Sequence, residues 1–233
     1  MNIVIPMAGA GSRFAQEGYD LPKPLIPVDG VPMIVRAVQT LDLRGQYHFV
    51  IRETEYTNEC VGAASAAAYD PVLEIIKDLT RGAAESALLL KEHINTDEEL
   101  IITNCDQIMS WDAKKVLDEM RQYDGAVVVI RSQDAKHSYV KTTKGLATEF
   151  AEKKVISDFA LTGIHYWRHG SDFVSSAEQM IADNAVSGAG EFYVAPTYNY
   201  LIKQKKRIGV VVIEPDQIHF IGTPKDLEAY ASR

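Results

Sequence analysis

Five short apolar runs, at 2–6, 47–52, 99–103, 125–131 and 208–213, constrain this chain more than any other feature. Each is rich in valine or isoleucine and too short for a helix, as expected of strands covered on both faces. Between them, 33–41, 58–68, 82–93 and 114–123 carry apolar residues at helical spacing. Such alternation predicts right-handed crossovers and an α/β fold: a three-layer α/β/α, Rossmann-like sandwich around a mixed, mostly parallel sheet. Residues 71–76 are a candidate sixth strand, leading to a turn at Arg81-Gly82. The second half changes character. There, 139–143, 147–150 and 160–167 read as antiparallel or mixed strands around Lys144-Gly145. Residues 171–183 and 197–203 read as helices, 188–190 as a loop, and Thr223-Pro224 as the capped start of a closing helix. A single domain over all 233 residues is expected, in two halves that divide at about 124.

The first run ends in a glycine-rich loop, Ala8-Gly9-Ala10-Gly11-Ser12-Arg13-Phe14, and Lys23 follows between Pro22 and Pro24. Glycines 9 and 11 let backbone N–H groups approach a polyphosphate without a Cβ in the way. Arg13 adds a forked cation and Lys23 a point-like one, suited to separate phosphates. Two familiar glycine patterns fail. The P-loop spacing is absent, and a dinucleotide fingerprint needs glycine where Phe14 stands. Gly18 and the two prolines interrupt any helix soon after Arg13. A nucleoside triphosphate is the ligand class this loop suits. Ligands of open α/β sheets lie beyond the carboxyl ends of the strands, where the run at 99–103 delivers Asn104-Cys105-Asp106-Gln107. The Asp106 carboxylate suits Mg²⁺, which takes one or two protein carboxylates together with waters and phosphate oxygens.

The formal charge of −8 argues against a nucleic-acid partner but not against a nucleotide, which local cations and backbone amides can hold. The basic run at 203–207 reads as a solvated helix end. No run of about eighteen apolar residues and no basic leader segment stand out, so a cytoplasmic location and no membrane partner are expected. Cys60 and Cys105 give neither a disulfide framework nor metal-ligand spacing. His48, His93, His137, His165 and His169 also lack ligand spacing and read as packing or surface residues. Tyr166, Trp167, Phe192 and Tyr193 suit either stacking on a ligand or packing. No heptad specifies an oligomer, and a homo-oligomer is compatible with the sequence.

The arrangement Ala-Gly-x-Gly-x-Arg-Phe, followed by Pro-Lys-Pro-Leu-Ile-Pro-Val, resembles the sugar-phosphate nucleotidylyltransferases over nearly the whole chain. The resemblance implies the nucleotide-diphospho-sugar transferase type of fold. It implies that Ala8, Gly9, Ala10, Gly11 and Ser12 bind the nucleotide, that Arg13 holds the triphosphate, and that Lys23 acts at the transferred phosphate. Gly82-Ala83-Ala84 looks like the segment that contacts the base, and Asp106 matches the metal-binding aspartate. Glu152-Lys153 is similar to a Glu-Lys-Pro segment whose lysine meets the acceptor phosphate. Thr162-Gly163 and Gly190-Glu191 match segments that shape the acceptor pocket. Gly222-Thr223-Pro224-Lys225-Asp226-Leu227 resembles the terminal family pattern. Two departures stand out. A second metal aspartate, expected two residues before Gly222, is replaced by Phe220 with His219 before it, leaving either Asp106 alone or another acid such as Asp216. The proline of Glu-Lys-Pro is Lys154.

The implied reaction transfers a nucleoside monophosphate from an NTP to a sugar-1-phosphate, supplying a precursor for surface polysaccharide. Arg13, Lys23 and Asp106 are the expected catalytic residues; Lys153, Thr162, Gly163 and Glu191 are expected at the acceptor. Three alternatives remain at this stage: a cytidylyltransferase acting on a non-sugar phosphate or phosphonate, a glycosyltransferase, and a non-catalytic nucleotide sensor. Asn104 occupies the first acidic position of an Asp-x-Asp motif, which weighs against the glycosyltransferase.

Overall fold

The structure is a computed structural model describing residues 1–187 and 190–233; the loop expected at 188–190 falls largely outside the described residues. Thirteen described strands run in chain order: β1 (Asn2–Pro6), β2 (Pro27–Val28), β3 (Val31–Pro32), β4 (Gln46–Arg52), β5 (Val72–Ile76), β6 (Leu100–Ile102), β7 (Gln107–Met109), β8 (Gly125–Arg131), β9 (Tyr139–Thr143), β10 (Leu146–Ala151), β11 (Phe159–Trp167), β12 (Ile208–Val212) and β13 (Ile218–Phe220). The α-helices are α1 (Ser12–Gln16), α2 (Met33–Leu41), α3 (Thr57–Ala67), α4 (Ala83–Leu88), α5 (Lys91–Ile94), α6 (Ala113–Met120), α7 (Gly170–Ala182), α8 (Thr197–Lys203) and α9 (Pro224–Ala231).

Side-chain alternation along the strands explains the layering. Ile3, Ile5, Phe49, Ile51, Val128 and Ile130 point to one face, under α2, α3 and α6. Val4, Val50, Leu100, Ile102, Val127 and Val129 point to the other, under α4, α5, α7 and α8. These strands therefore read as continuous apolar runs because both faces are covered. A smaller cluster of Phe14, Ile26, Val28, Met33, Ile108, Ile221 and Leu227 fastens α9 and the glycine-loop region to the main body.

Nine strands form one sheet in the order β5-β4-β1-β6-β11-β8-β12-β10-β9. The expectation of a mostly parallel sheet holds only for part of it. β5, β4, β1 and β6 are parallel, as are β8 and β12, but β11 lies antiparallel between β6 and β8, and β10 is antiparallel to β12 and β9. The sheet is mixed because the 139–167 meander feeds its last strand back into the middle of the sheet. β9 also pairs with β11 through Ala160 and Tyr139, so the second half curls round upon itself.

This closure opens a gap. On the edge of β11 facing away from β8, residues 165–167 pair with β6 and residue 160 pairs with β9. The β8 register shifts between Leu161 and His165, so Thr162 and Gly163 sit at an irregularity between the two partners. Gly163 takes φ +90°, a left-handed value that glycine accepts without a Cβ penalty. Among the described residues, no helix is long and apolar enough to cross a membrane.

Candidate active site

A cleft of about 510 Å³ lies at this irregularity and reaches across to Arg13. Arg13, Lys23 and Asp106 line it together with Lys153, Thr162, Gly163 and Glu191. The parallel first half explains the convergence. β1 and β6 are neighbours, so the chain leaving each emerges at the same edge, carrying the glycine loop and Asn104–Asp106 together.

Gly11 occupies the turn into α1 with φ 62°, so its glycine identity follows from backbone geometry. Gly9 has open space around its Cα, with no heavy atom within 4 Å of an ideal Cβ. Gly9, Ala10 and Gly11 line a second cleft of about 210 Å³, and Lys23 borders both clefts. Ala8 is buried beneath the loop, while Ser12 is exposed at the start of α1. Arg13 is exposed on the cleft wall and forms no ion pair among the described residues.

Lys23 donates to Asp106 Oδ2 in a short ion pair, with side-chain exposures of 23% and 21%. Burial alone would drag the Lys23 ammonium down, but the Asp106 carboxylate outweighs it and holds the ammonium above its usual value. The carboxylate is pressed against Gly222, where an added Cβ would stand 2.4 Å from Asp106 Oδ2. The Ile221 N–H donates to the Asp106 carbonyl at 2.9 Å, so the C-terminal Gly-Thr-Pro segment closes behind the acid. Thr223 caps α9 by accepting from the Asp226 N–H at 3.1 Å, placing Asp226 on the cleft wall. Cys105 also faces the cleft, and burial pushes its thiol up to about 11, which keeps it protonated.

Lys153, expected from the sequence at the acceptor, takes a left-handed backbone conformation (φ 49°), uncommon for a residue with a Cβ. Its Nζ donates to the Tyr193 hydroxyl at 3.0 Å and lies 5.1 Å from that ring's centroid. The hydrogen bond to Tyr193 holds the Lys153 ammonium above its usual value. Glu152 accepts from the Ser138 hydroxyl, and burial raises its carboxyl. Thr162 spends its hydroxyl on the Val128 carbonyl at 2.9 Å. Gly82 does not line the cleft, whereas Ala83 does. Gly82, at φ 138°, is clamped by Phe192, whose carbonyl oxygen would stand 2.5 Å from an added Cβ. That clamp docks the 191–195 segment onto the start of α4, with the Ala84 N–H donating to the Phe192 carbonyl at 3.0 Å.

Sequence reasoning missed several lining groups. Lys136 and His137 come from a loop without a recognisable pattern, and Lys136 pairs with Asp226 at 3.3 Å. Phe220 and Tyr193 line the cleft, while Tyr166, Trp167 and Phe192 are fully buried packing residues. His165 borders the cleft although it reads as packing alone. Asp216, one candidate for a second metal ligand, is exposed and does not line the cleft; Asp226 does. His219 stands outside it, against Arg233 and Tyr230. Lys154 is exposed and does not border it.

The model of the MobA-like NTP transferase domain matches residues 3–160, more than half of the chain. Several solved structures share the fold. A nucleoside-diphosphate-sugar pyrophosphorylase from Vibrio cholerae RC9 superposes with a TM-score of 0.87 at 24% identity, covering 99% of this chain and 100% of that one. A Bacillus anthracis protein provisionally named a glucose-1-phosphate thymidylyltransferase, solved with sucrose, gives 0.77 at 20% identity over 100% of this chain and 94% of its own. An inositol-1-phosphate CTP transferase from T. maritima gives 0.74 at 13%, covering 99% and 92%. At these identities the likenesses establish fold alone, whereas the family match rests on sequence. The chain belongs to the MobA-like NTP transferase domain family and is a nucleotidyltransferase.

Proposed function

We propose that this enzyme transfers a nucleoside monophosphate from an NTP to a sugar-1-phosphate, releasing pyrophosphate and forming an NDP-sugar for surface polysaccharide. One observation carries the reading: Arg13, Lys23 and Asp106 line the same cleft as Lys153. Two phosphorylated molecules brought into that space would each find cations on its wall. An oxygen of the acceptor phosphate attacks the α-phosphorus, and the bond to the oxygen bridging α and β breaks as pyrophosphate departs. The acceptor needs little help from a base, because a phosphate monoester's second pKa is about 6. What the protein must supply is placement and charge neutralisation.

Arg13, unpaired and exposed on the wall, holds the departing β,γ-phosphates. Lys23 stays protonated and stabilises charge at the α-phosphate. Lys153, positioned by Tyr193, anchors the acceptor phosphate, while Thr162, Gly163 and Glu191 shape the space round its remainder. Gly9 to Gly11 offer backbone donors to the triphosphate, Ala8 and Ser12 frame that loop, and Ala83, held on the cleft wall by the clamp at Gly82, lies beside the base.

The residues present fit Mg²⁺. Asp106 offers a hard carboxylate oxygen on the cleft wall, and among the described residues no cluster of three or more His, Cys, Asp or Glu stands as a closed metal cage. An oxygen of that kind is what Mg²⁺ takes, with water and phosphate oxygens completing its shell. Asp106 would hold it, and bound there it would neutralise triphosphate charge.

Pyrophosphate release, measured with Mg²⁺ across the common NTPs and a panel of sugar-1-phosphates, tests the reading. Lys23→Ala and Asp106→Ala are each expected to lower turnover by about 10²–10³. Retention of more than about half the activity in either variant would overturn the assignment. Tight NTP binding without pyrophosphate release on any acceptor would favour the sensor instead.

A further inference from the structure

Four lysine and arginine side chains line the cleft among the described residues, and three of them, Arg13, Lys23 and Lys153, already have partners in the transfer. Lys136 is the fourth. It stands on the loop between β8 and β9, with its side chain 48% exposed. Its ammonium lies 3.3 Å from Asp226 Oδ1, 3.7 Å from Asp134 Oδ2 and 5.9 Å from the centroid of the Phe220 ring.

Neither Lys136 nor Asp226 needs the other to hold its place. The loop is fixed by bonds that leave the ammonium out. The Lys136 N–H donates to Asp134 Oδ1 at 3.0 Å, and the Asp134 carbonyl accepts from the His137 N–H at 3.1 Å and the Tyr139 hydroxyl at 2.8 Å. Asp226 is held by Thr223, whose hydroxyl donates to its Oδ2 at 2.7 Å, in the first turn of α9 where a carboxylate is favoured. An exposed ion pair of this sort adds little to stability. A lysine set on a cleft wall by its backbone, with its ammonium lightly held, is free to turn to an arriving anion.

The surroundings indicate which anion. A phosphate monoester carries about −1.5 to −2 charges at neutral pH. Lys153 alone does not balance that, because Glu152 and Glu191 both act on its ammonium and both line the cleft. The triphosphate, by contrast, has Arg13, Lys23 and the metal. The 136–138 stretch also reaches the segment that carries Lys153, since the Ser138 hydroxyl donates to Glu152. We propose that Lys136 is a second phosphate-binding residue for the acceptor: its ammonium passes from Asp226 to an oxygen of the acceptor's phosphate and shares that charge with Lys153. This rests on the nucleotidyl-transfer reading and gives work to a cation which that reading leaves idle.

The test measures pyrophosphate release and Mg-NTP affinity in Lys136→Met and Asp226→Asn, with the sugar-1-phosphate that the unaltered enzyme turns over best. Lys136→Met is expected to lower kcat/KM for the acceptor by about 10–100-fold, mostly through KM, with Mg-NTP affinity unchanged; that is the usual worth of a hydrogen bond to a charged group. Asp226→Asn should leave the acceptor KM as it is or lower it, because the lysine no longer has to leave a carboxylate. An acceptor KM that rises as much in Asp226→Asn as in Lys136→Met overturns the proposal, since the two residues then matter only as a pair. So does a Lys136→Met enzyme with an unchanged acceptor KM, or one that loses NTP affinity instead, which would put Lys136 on the triphosphate. Should Lys136→Met fail to fold, Asp226→Asn decides: a raised acceptor KM overturns the proposal and an equal or lower one supports it. If the unaltered enzyme binds NTP but releases no pyrophosphate with any acceptor, the transfer reading itself falls, and this inference with it.

Discussion

Two histidines kept neutral by burial tie this protein's stability to pH. His48 accepts or donates one hydrogen bond, to Asn2 Oδ1 at 3.0 Å, and burial, with His93 beside it, pushes it down to about 4. His165 is pushed down to about 3 by burial alone. In the unfolded chain both return to about 6.5. Below that value the unfolded state binds protons that the folded state refuses, so stability falls as pH drops, and above about 7.5 neither ring contributes a slope. Each full proton of difference is worth about 1.4 kcal/mol per pH unit. Urea unfolding should therefore weaken steadily from about pH 6.5 to 5, a window above most carboxylate titrations. His165→Phe should flatten that slope by one ring's share. An unchanged slope would mean that His165 is protonated or solvated in the fold. At this scale three of the cleft's charged residues were legible, since Arg13, Lys23 and Asp106 sit in strand-then-loop patterns that bring them to one wall. His165 was not, because nothing local tells a strand histidine that packs from one that borders a cleft.

Helix α4 shows how an element can be set by a contact far away in sequence. The apolar spacing at 82–93 predicts one helix, yet the chain breaks at Leu89–Leu90 into α4 and α5. Its start is fixed by Gly82 lying against the Phe192 backbone, a contact across more than a hundred residues that spacing cannot reveal. Elements with strong local signals came out as written: α2 and α8 keep their expected bounds, and Asn2–Pro6 and Gly125–Arg131 form the strands their apolar runs predict. The pairs β2–β3 and β7–β13 were not legible, because two or three residues are too few to establish a period. Gly82→Ala follows from the same contact. The new Cβ meets backbone at 2.5 Å and the residue must hold φ 138°, so the 191–195 segment has to lift from α4. Strain of this kind costs about 1–3 kcal/mol, or roughly 2–10 °C in melting temperature for a chain of this length. Displacing Tyr193 frees Lys153, so the acceptor KM should rise more than the NTP affinity falls. A variant with wild-type melting temperature and acceptor KM would show that the segment docks without the glycine.

Across the whole molecule, the sheet divides the labour that the sequence only hinted at. Its parallel strands β5, β4, β1 and β6 present the glycine loop and Asp106, and the curled second half supplies Lys153, Thr162 and Gly163 to the same cleft. The two are stitched by β6 against β11, through residues 100–102 and 165–167. The direction of β11 was not legible because its alternation is the same whichever way it pairs; tertiary pairing with β6 and β8 decided it. A ligand that spans both halves should consequently stabilise the stitched whole rather than one end. Mg-NTP at about a hundred times its Kd is worth about 2.7 kcal/mol, which corresponds to a rise of roughly 5–11 °C. Chelating the metal should remove most of that rise, since Lys23 would then be shared between the Asp106 carboxylate and the triphosphate. Asp106→Asn should reverse the dependence, keeping a residual gain from NTP alone because Lys23, freed from its carboxylate partner, still meets the phosphates. Acceptor added to the Mg-NTP complex should extend amide protection to β9, β10 and the 191–195 segment. A melting temperature that rises equally with and without chelator would remove the metal from the site and leave Arg13 and Lys23 to carry the triphosphate alone.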